Sequence, residues 1–252
     1  MISRDELGRI ARAKGLSLYQ QEKDYLLKLF LYHLYRSHKD AVFKGGTCIR
    51  YLYGLQRFSE DLDFTVARPK RFKEQVARVL RDIGDIGIRS SFLKEESFPD
   101  AYACEIGFEG PLYKGTAQTR NKFAIDAGKR QGIAREPAWK IVHSEYPETG
   151  ENFLVLAMAP EELLAEKTAA ALTRGKGRDL YDVWFLLSAG ITLDRKLLAR
   201  KGGKLDVGRL PGKAAYERDL SRLTPTLVPY GQVIGDIRRM CGDGQYNGEW
   251  RR

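Results

Sequence analysis

The pair of residues best suited to chemistry in this chain is Asp61 and Asp63, which enclose a single leucine. Two neighbouring carboxylates repel each other and are costly to ionise together unless a cation lies between them. Divalent metal ions prefer oxygen ligands, which makes the pair a candidate site for Mg²⁺ or Mn²⁺. If the segment is one continuous strand, side-chain alternation places Asp61, Asp63 and Thr65 on the same face.

A glycine pair followed by threonine, Gly45-Gly46-Thr47, precedes the aspartates and links a short apolar segment to a predicted helix. Backbone N–H groups at the start of a helix lack intrahelical partners and bind phosphate well. Metal-binding carboxylates near such a phosphate cradle indicate nucleotide chemistry. The Asp-x-Asp pattern alone is weak, because many exposed strands and loops carry it by chance.

Two blocks of the sequence resemble a known family. The first is FKGGTCIRYLYGLQRFSEDLDFTV, Phe43–Val66, and the second is AEKT, Ala165–Thr168, followed by RDLYDV, Arg178–Val183. In both blocks the chain resembles the AbiEii/AbiGii-type toxins, which include the MenT toxins, in the nucleotidyltransferase superfamily of DNA polymerase β type. That family carries a Gly-Gly-Ser/Thr turn before the phrase RFSEDLDF, and a lysine helix before RDxxD.

The resemblance implies roles for the residues of the first block. Asp61 and Asp63 would hold the metal ions that bridge the triphosphate of an NTP substrate. The nucleotide would also be bound by residues of the glycine turn and by a serine next to the aspartates, namely Gly45, Gly46, Thr47 and Ser59.

Three residues outside the first block receive catalytic roles from the same resemblance. Lys167 would contact the nucleotide phosphates, and Asp182 would be a polar partner near the active centre. The third metal-binding carboxylate of such enzymes comes from a neighbouring strand, which favours Asp126, with Lys122 on the same strand face. It would also help to deprotonate the attacking hydroxyl.

Each of these roles has a structural alternative. Arg178, Asp179 and Asp182 also fit a capping and salt-bridge set between neighbouring helices, because such pairs are common. Asp179 is the member of this set assigned to structure, as a partner of Arg174 or Arg178. Asp126 also fits an exposed aspartate at a strand end.

Ser59 is a candidate for regulation as well as for nucleotide binding. It lies two residues before Asp61, so on a continuous strand it faces the same cleft. In some toxins that resemble this chain, the serine at this position is phosphorylated by the antitoxin. The alternative is that Ser59 only forms a local hydrogen bond.

The function implied by the resemblance is metal-dependent transfer of a nucleoside monophosphate from an NTP to the 3′ end of tRNA, by the toxin of a toxin–antitoxin pair. The alternatives are nucleotidylation of a protein acceptor and a non-catalytic NTP- or RNA-binding module. The net charge of +10 and the pI of about 9.4 favour a polyanionic partner. Candidate contacts to the tRNA backbone are Arg68, Lys70, Arg71, Lys73, Lys129, Arg130, Arg174, Lys176, Arg200 and Lys201.

Composition and patterning predict a cytoplasmic α/β (α+β) protein. Its 252 residues include three scattered cysteines without zinc-ligand spacing. We see no apolar signal segment and no apolar run of membrane-spanning length. We expect a nucleotidyltransferase-like mixed sheet with flanking helices and a helical C-terminal portion. The predicted domains are residues 1–152, the nucleotidyltransferase core, and residues 153–252, a mostly helical part that completes the active site.

The hydrophobic periodicity predicts the elements of this fold. Helices are expected over Ile2–Lys14, Gln20–His38, Arg71–Ile83, Pro160–Thr173 and Arg178–Leu187, and strands over Ile86–Phe92, Tyr102–Glu109, Lys122–Ala127 and Phe153–Met158.

Overall fold

A computed structural model describes residues 1–129 and 133–242 of the chain. It divides into two compact units. Unit 1 comprises Met1–Gly54, Ser59–Ile133 and Pro137–Ala157, and unit 2 comprises Leu55–Phe58, Ala134–Glu136 and Met158–Arg252. Neither unit is one continuous segment. The proposed domain division at residues 152 and 153 stays a prediction.

Unit 1 is built on a seven-stranded sheet whose spatial order is β3-β4-β5-β2-β1-β7-β6. The sheet is mixed: β2 runs parallel to β5 and β1 parallel to β7, whereas the other neighbours are antiparallel. The strands are β1 (Val42–Lys44), β2 (Leu62–Thr65), β3 (Arg89–Ser97), β4 (Ala101–Glu109), β5 (Asn121–Gly128), β6 (Ala138–His143) and β7 (Asn152–Ala157).

Four helices of unit 1 accompany this sheet: α1 (Arg4–Lys14), α2 (Leu18–Ser37), α3 (Gly45–Tyr53) and α4 (Pro69–Asp85). Local chemistry fixes where the first two begin. The Ser3 side chain accepts a hydrogen bond from the Glu6 N–H and caps α1, and Ser17 and Gln20 form a capping box at α2. The long, largely buried α2 packs against α4 and the sheet and forms the centre of the core.

Unit 2 is helical over most of its described length. Its helices are α5 (Pro160–Arg174), α6 (Gly177–Ser188), α7 (Arg195–Arg200), α8 (Lys213–Leu220) and α9 (Tyr230–Gly242). Gly177 permits the close approach of α6 and α8, since a Cβ at this position would lie 2.3 Å from the Cα of Tyr216. A larger residue at position 177 would therefore push the two helices apart.

The expected fold class is confirmed, with three local differences. Tyr102, Cys104, Ile106 and Phe108 of β4 are buried together, as their alternation predicts. The predicted Ile86–Phe92 strand begins later, because Ile86 and Gly87 form a turn in which Gly87 has φ +85. Strand β6 is not anticipated, and Gly45-Gly46-Thr47 forms the first turn of α3 itself.

In the described part of the chain, the cysteines form no disulfide bond. All three cysteines are free, and Cys48 and Cys104 are buried. None of the helices in the described part of the chain has the length and apolarity needed to cross a membrane.

Candidate active site

Asp63 and Asp126 lie directly opposite each other on neighbouring parallel strands of unit 1. The register pairs Asp63 of β2 with Asp126 of β5, and Lys44 of β1 pairs with Asp63 from the other side. Opposite residues of adjacent strands project to the same face of a sheet, so the structure brings the two carboxylates together. Asp126 is exposed and alternates with the buried Ile125 and Ala127.

Asp61 reaches this site in a different way from the one expected. Strand β2 begins at Leu62, so Asp61 precedes it instead of sharing a strand face with Asp63. The Ala124 N–H of β5 donates a hydrogen bond of 3.1 Å to Oδ1 of Asp61. This bond fixes the Asp61 carboxylate beside the β5 strand that carries Asp126.

The start of α3 lies against Asp63. A Cβ on Gly45 would lie 2.0 Å from Oδ2 of Asp63, and Gly45 has φ +78, a conformation that other residues rarely adopt. No side chain in the described part of the chain caps α3. The first turn of α3 therefore begins next to the Asp63 carboxylate, and backbone amides at a helix start are groups that can bind phosphate.

Thr47 braces the segment that leads to the aspartates. Its buried hydroxyl donates a hydrogen bond of 2.6 Å to the carbonyl oxygen of Asp61 and lies 3.0 Å from the Ser59 hydroxyl. Ser59 is half-buried in irregular chain, so the expected continuous strand through Ser59 and Asp61 is wrong. The local hydrogen bond considered for Ser59 is present.

A buried cluster of charges occupies unit 2. The Arg57 guanidinium donates two bonds to Asp182, from Nε to Oδ1 and from Nη2 to Oδ2, both 2.6 Å long. Lys167 Nζ lies 2.8 Å from Oδ2 of Asp182 and 3.0 Å from Oδ1 of Asp179. The side chain of Asp182 is 0% exposed and that of Lys167 is 15% exposed, so this ion cluster is almost closed to water.

The ion cluster favours the charged forms of Asp182 and Lys167. Burial would raise the pKa of Asp182, but the charges of Arg57 and Lys167 outweigh burial and hold this pKa below its ordinary value. Burial would lower the pKa of Lys167, but Asp182 and Asp179 outweigh burial and raise it. The cluster thus combines two basic side chains, Arg57 and Lys167, with two acidic ones, Asp179 and Asp182.

The sequence model described as "Nucleotidyl transferase AbiEii toxin, Type IV TA system" matches residues 29–224, which include both sets of residues. The chain belongs to the AbiEii nucleotidyltransferase toxin family. It is accordingly a nucleotidyltransferase and the toxin of a type IV toxin–antitoxin system, which implies an antitoxin as partner. A comparison with curated protein sequences gives no match.

Solved structures show the same fold at low sequence identity. MenT4, the nucleotidyltransferase toxin Rv2826c from Mycobacterium tuberculosis H37Rv, is similar with a TM-score of 0.66 and 20% identity, over 96% of this chain and 89% of that chain. JHP933 from Helicobacter pylori gives a TM-score of 0.62 and 19% identity, over 89% of this chain and 91% of that chain.

A metal ion fits the carboxylates of this AbiEii-family chain. Within the described residues, no three His, Cys, Asp or Glu side chains are arranged as a metal-binding group. Mg²⁺ in nucleotide sites needs only one or two protein carboxylates, because substrate phosphates and water supply the other ligands. Asp61 lies next to β5, and Asp63 lies against the start of α3, where a Cβ on Gly45 would not fit. Both residues supply the hard oxygen atoms that such an ion prefers.

The structure changes two assignments in the second block of the AbiEii motif. Asp179 pairs with Lys167, so the expected pairing with Arg174 or Arg178 is wrong. The salt-bridge alternative for Asp182 is present, but its main partner is Arg57, to which sequence reasoning gave no role. The signal was available in RFSEDLDF, where Arg57 opens the phrase that ends in the two aspartates.

The expected contacts to the tRNA backbone divide by exposure. The Lys201 ammonium, 6% exposed, lies 2.6 Å from Glu162 and 3.0 Å from Glu166, so the assignment of Lys201 to RNA is wrong. Lys73 is exposed but pairs with Glu95 at 2.6 Å. Arg130 lies outside the described residues. The other exposed members of the set are Arg68, Lys70, Arg71, Lys129, Arg174, Lys176 and Arg200.

Proposed function

We propose that this AbiEii-family enzyme transfers a nucleoside monophosphate from an NTP to the 3′-hydroxyl of tRNA, with Mg²⁺ or Mn²⁺ held by Asp61, Asp63 and Asp126. The observation that carries the proposal is the placement of Asp63 between Asp126 on β5 and the first turn of α3. A nucleoside triphosphate with its metal ion requires this combination of carboxylate oxygens on one side and backbone amides on the other.

When bound, the metal ion would neutralise the triphosphate and stabilise the charge that develops during an in-line displacement. The hydrogen bond from Ala124 to Asp61 keeps one carboxylate from rotating away. The amides of the first turn of α3 would hold phosphate oxygens. Thr47 holds the Asp61 backbone in place and thereby links the phosphate cradle to the carboxylates.

Asp126 would accept the proton of the attacking 3′-hydroxyl. The new bond joins the 3′-oxygen to the α-phosphorus of the NTP, the bond from that phosphorus to the bridging oxygen breaks, and pyrophosphate leaves. A carboxylate on an exposed strand face is accessible to such a hydroxyl. Asp126 would combine this role with metal binding, whereas Asp61 and Asp63 would serve as metal ligands only.

Lys167 and Asp182 receive their roles from the family resemblance, as a phosphate ligand and its partner. Within unit 2, Asp182 and Asp179 fix the position of the Lys167 ammonium. If Lys167 binds phosphate, Lys167→Arg is expected to keep only part of the activity that Lys167→Ala loses. The planar guanidinium of arginine and the compact ammonium of lysine differ in geometry.

The acceptor can be tested directly by incubating the enzyme with labelled NTPs, Mg²⁺ and total tRNA. We expect label on the tRNA 3′ end, no label after chelation of the metal, and a loss on the order of 10²–10³-fold in Asp126→Asn. Asp100→Asn, at an exposed turn, serves as the control with unchanged activity. Label on protein would identify the alternative acceptor, and binding of NTP without any transfer would identify a non-catalytic module.

A further inference from the structure

One surface of α1 forms a cavity that the chemistry above does not use. It has a volume of about 460 Å³ and is lined by residues of α1 and by the corner that leads into α2. Arg4, Gly8 and Arg12 follow one another at intervals of four along α1, and Arg9 lies beside them. The cavity is therefore walled by three arginines from one short helix.

These arginines are not used by the fold. In the described part of the chain, no ion pair involves Arg4, Arg9 or Arg12, and all three are exposed. Lys14 of the same helix behaves differently, because it pairs with Glu145. Three guanidinium groups around one cavity, with Asp5 as the one carboxylate among its lining residues, make a strongly positive site.

A chain of contacts inside unit 1 leads from this cavity to the catalytic carboxylates. Leu18, which lines the cavity, is followed by Tyr19, whose side chain is 44% exposed. Lys23 Nζ lies 5.3 Å from the Tyr19 ring centroid and 3.8 Å from Oε2 of Glu60. Glu60 immediately precedes Asp61, so these side chains connect the corner between α1 and α2 to the segment that carries the carboxylates.

We propose that the α1 cavity is a second contact for the acceptor RNA and binds phosphate groups of its backbone. The inference rests on the proposed function, since it names where that acceptor is held away from its 3′ end. Arginine suits this task because its planar fork binds phosphate through two parallel hydrogen bonds.

The spread of the arginines favours an RNA backbone over free NTP. Arg4 and Arg12 are eight residues apart, which corresponds to about 12 Å along the helix. Successive phosphates of a polynucleotide strand form an extended row of negative charges, so arginines spread over about 12 Å can contact more than one of them. A single triphosphate is more compact, and the cavity lacks the carboxylate pair that would hold its metal ion.

The test measures binding of labelled total tRNA to the full chain at several salt concentrations. We expect Arg9→Gln/Arg12→Gln to weaken binding about tenfold at low salt and to reduce the slope of log affinity against log salt by about 1.5, since each lost phosphate contact removes roughly 0.7–0.9. The control is Arg78→Gln/Arg81→Gln, which removes two exposed arginines from α4 and is expected to change the slope less.

Equal salt slopes in the two double variants would overturn the α1 site, whether or not the enzyme labels tRNA. A loss of NTP affinity in the α1 variant with unchanged tRNA binding would also overturn it, because the arginines would then serve the nucleotide. If the wild type labels no tRNA but the salt slope falls in the α1 variant alone, the α1 site is supported and the proposed acceptor is wrong.

Discussion

The carboxylate site of unit 1 and the ion cluster of unit 2 use the same residue type in opposite surroundings. Asp63 is partly exposed and faces a helix start that a Cβ would obstruct. Asp182 is completely buried, and its two oxygens receive Arg57 and Lys167. The comparison teaches that two aspartates from the motifs of one family can differ in access: Asp63 stays partly open to solvent, whereas Asp182 is enclosed by the protein.

Because of this difference, we expect substitutions at the carboxylate site to lower mainly activity and substitutions in the ion cluster to lower mainly stability. A carboxylate that meets a metal ion contributes mostly when substrate is bound, so its loss costs turnover. A buried carboxylate that neutralises two cations contributes to the folded state, so its loss leaves uncompensated charge in the interior. We therefore expect the largest effects for substitutions that remove a carboxylate and smaller ones for substitutions beside it or for a change of pH.

The largest contrast is expected between Asp63→Ala and Asp182→Ala. Asp63→Ala should lower transfer activity on the order of 10³-fold, because a metal ligand is lost, and should leave the denaturant midpoint unchanged. Asp182→Ala should lower the free energy of unfolding by about 3–5 kcal/mol, because Arg57 stays buried without its carboxylate partner and Lys167 keeps only Asp179. Urea titration and single-turnover transfer by both variants would measure the two effects.

Arg57→Met/Asp182→Leu is the control for the ion cluster. Removing both partners avoids an orphaned charge, so the pair should be more stable than Asp182→Ala. If Asp182→Ala unfolds at the wild-type midpoint, the ion cluster is not a stability element and the contrast fails.

The two glycines that bound α3 provide the next contrast. Gly45 has φ +78 and Gly54 has φ +77, but only at Gly45 would a Cβ meet another group, the Asp63 carboxylate at 2.0 Å. Gly45→Ala should therefore lower activity about 10²-fold, whereas Gly54→Ala should cost only the roughly 1 kcal/mol of backbone strain in stability. Equal activity losses would show that strain, and not the contact with Asp63, is responsible.

Ser59 tests how much charge the carboxylate site tolerates. The serine hydroxyl contacts Thr47, which in turn holds the Asp61 carbonyl. Ser59→Glu, or phosphorylation of Ser59, should weaken NTP binding about tenfold, since negative charge is added near the carboxylates that we propose as metal ligands. Ser59→Ala should leave most activity. Titration of NTP against both variants would measure this, and equal affinities would exclude the charge effect.

The smallest effect concerns the pH dependence of stability. Because the pKa of Asp182 is lower when folded than its ordinary value of 3.8, its contribution is complete above that value and is lost as pH falls through the folded pKa. The loss is about 1.4 kcal/mol for each unit by which the pKa is depressed. Unfolding free energies from pH 7 down to pH 2 should show a shallower acid decline in Asp182→Asn than in the wild type.

Local chemistry explains which parts of the fold were predictable. The Ser3 cap, the alternation of β4 and the placement of Pro160 at the start of α5 each follow from residues within one turn or strand. Strand β6 escaped prediction because nearly all its side chains are exposed, so its sequence has no alternation to detect.

The candidate site shows the same limit. The resemblance predicts Asp126 as the third carboxylate, on a strand that neighbours the one with Asp63, and the strand register pairs the two residues. The bond from Arg57 to Asp182 joins residues 125 positions apart, so the family phrase RFSEDLDF can single out Arg57 but cannot indicate Asp182 as its partner. The departure of Asp61 from β2 also depends on a distant partner, the Ala124 amide.

The short excursion of the chain through Leu55–Phe58 has a consequence for any attempt to shorten the gene. These residues belong to unit 2, where Phe58 N–H bonds to the Leu223 carbonyl at 2.6 Å, although the chain on both sides belongs to unit 1. A product truncated after Ala157 would keep Arg57 and lose Asp182, and one that starts at Met158 would do the reverse. Truncation between Ala157 and Met158, by a nonsense mutation or by recombination, therefore cannot produce either unit with all of its residues.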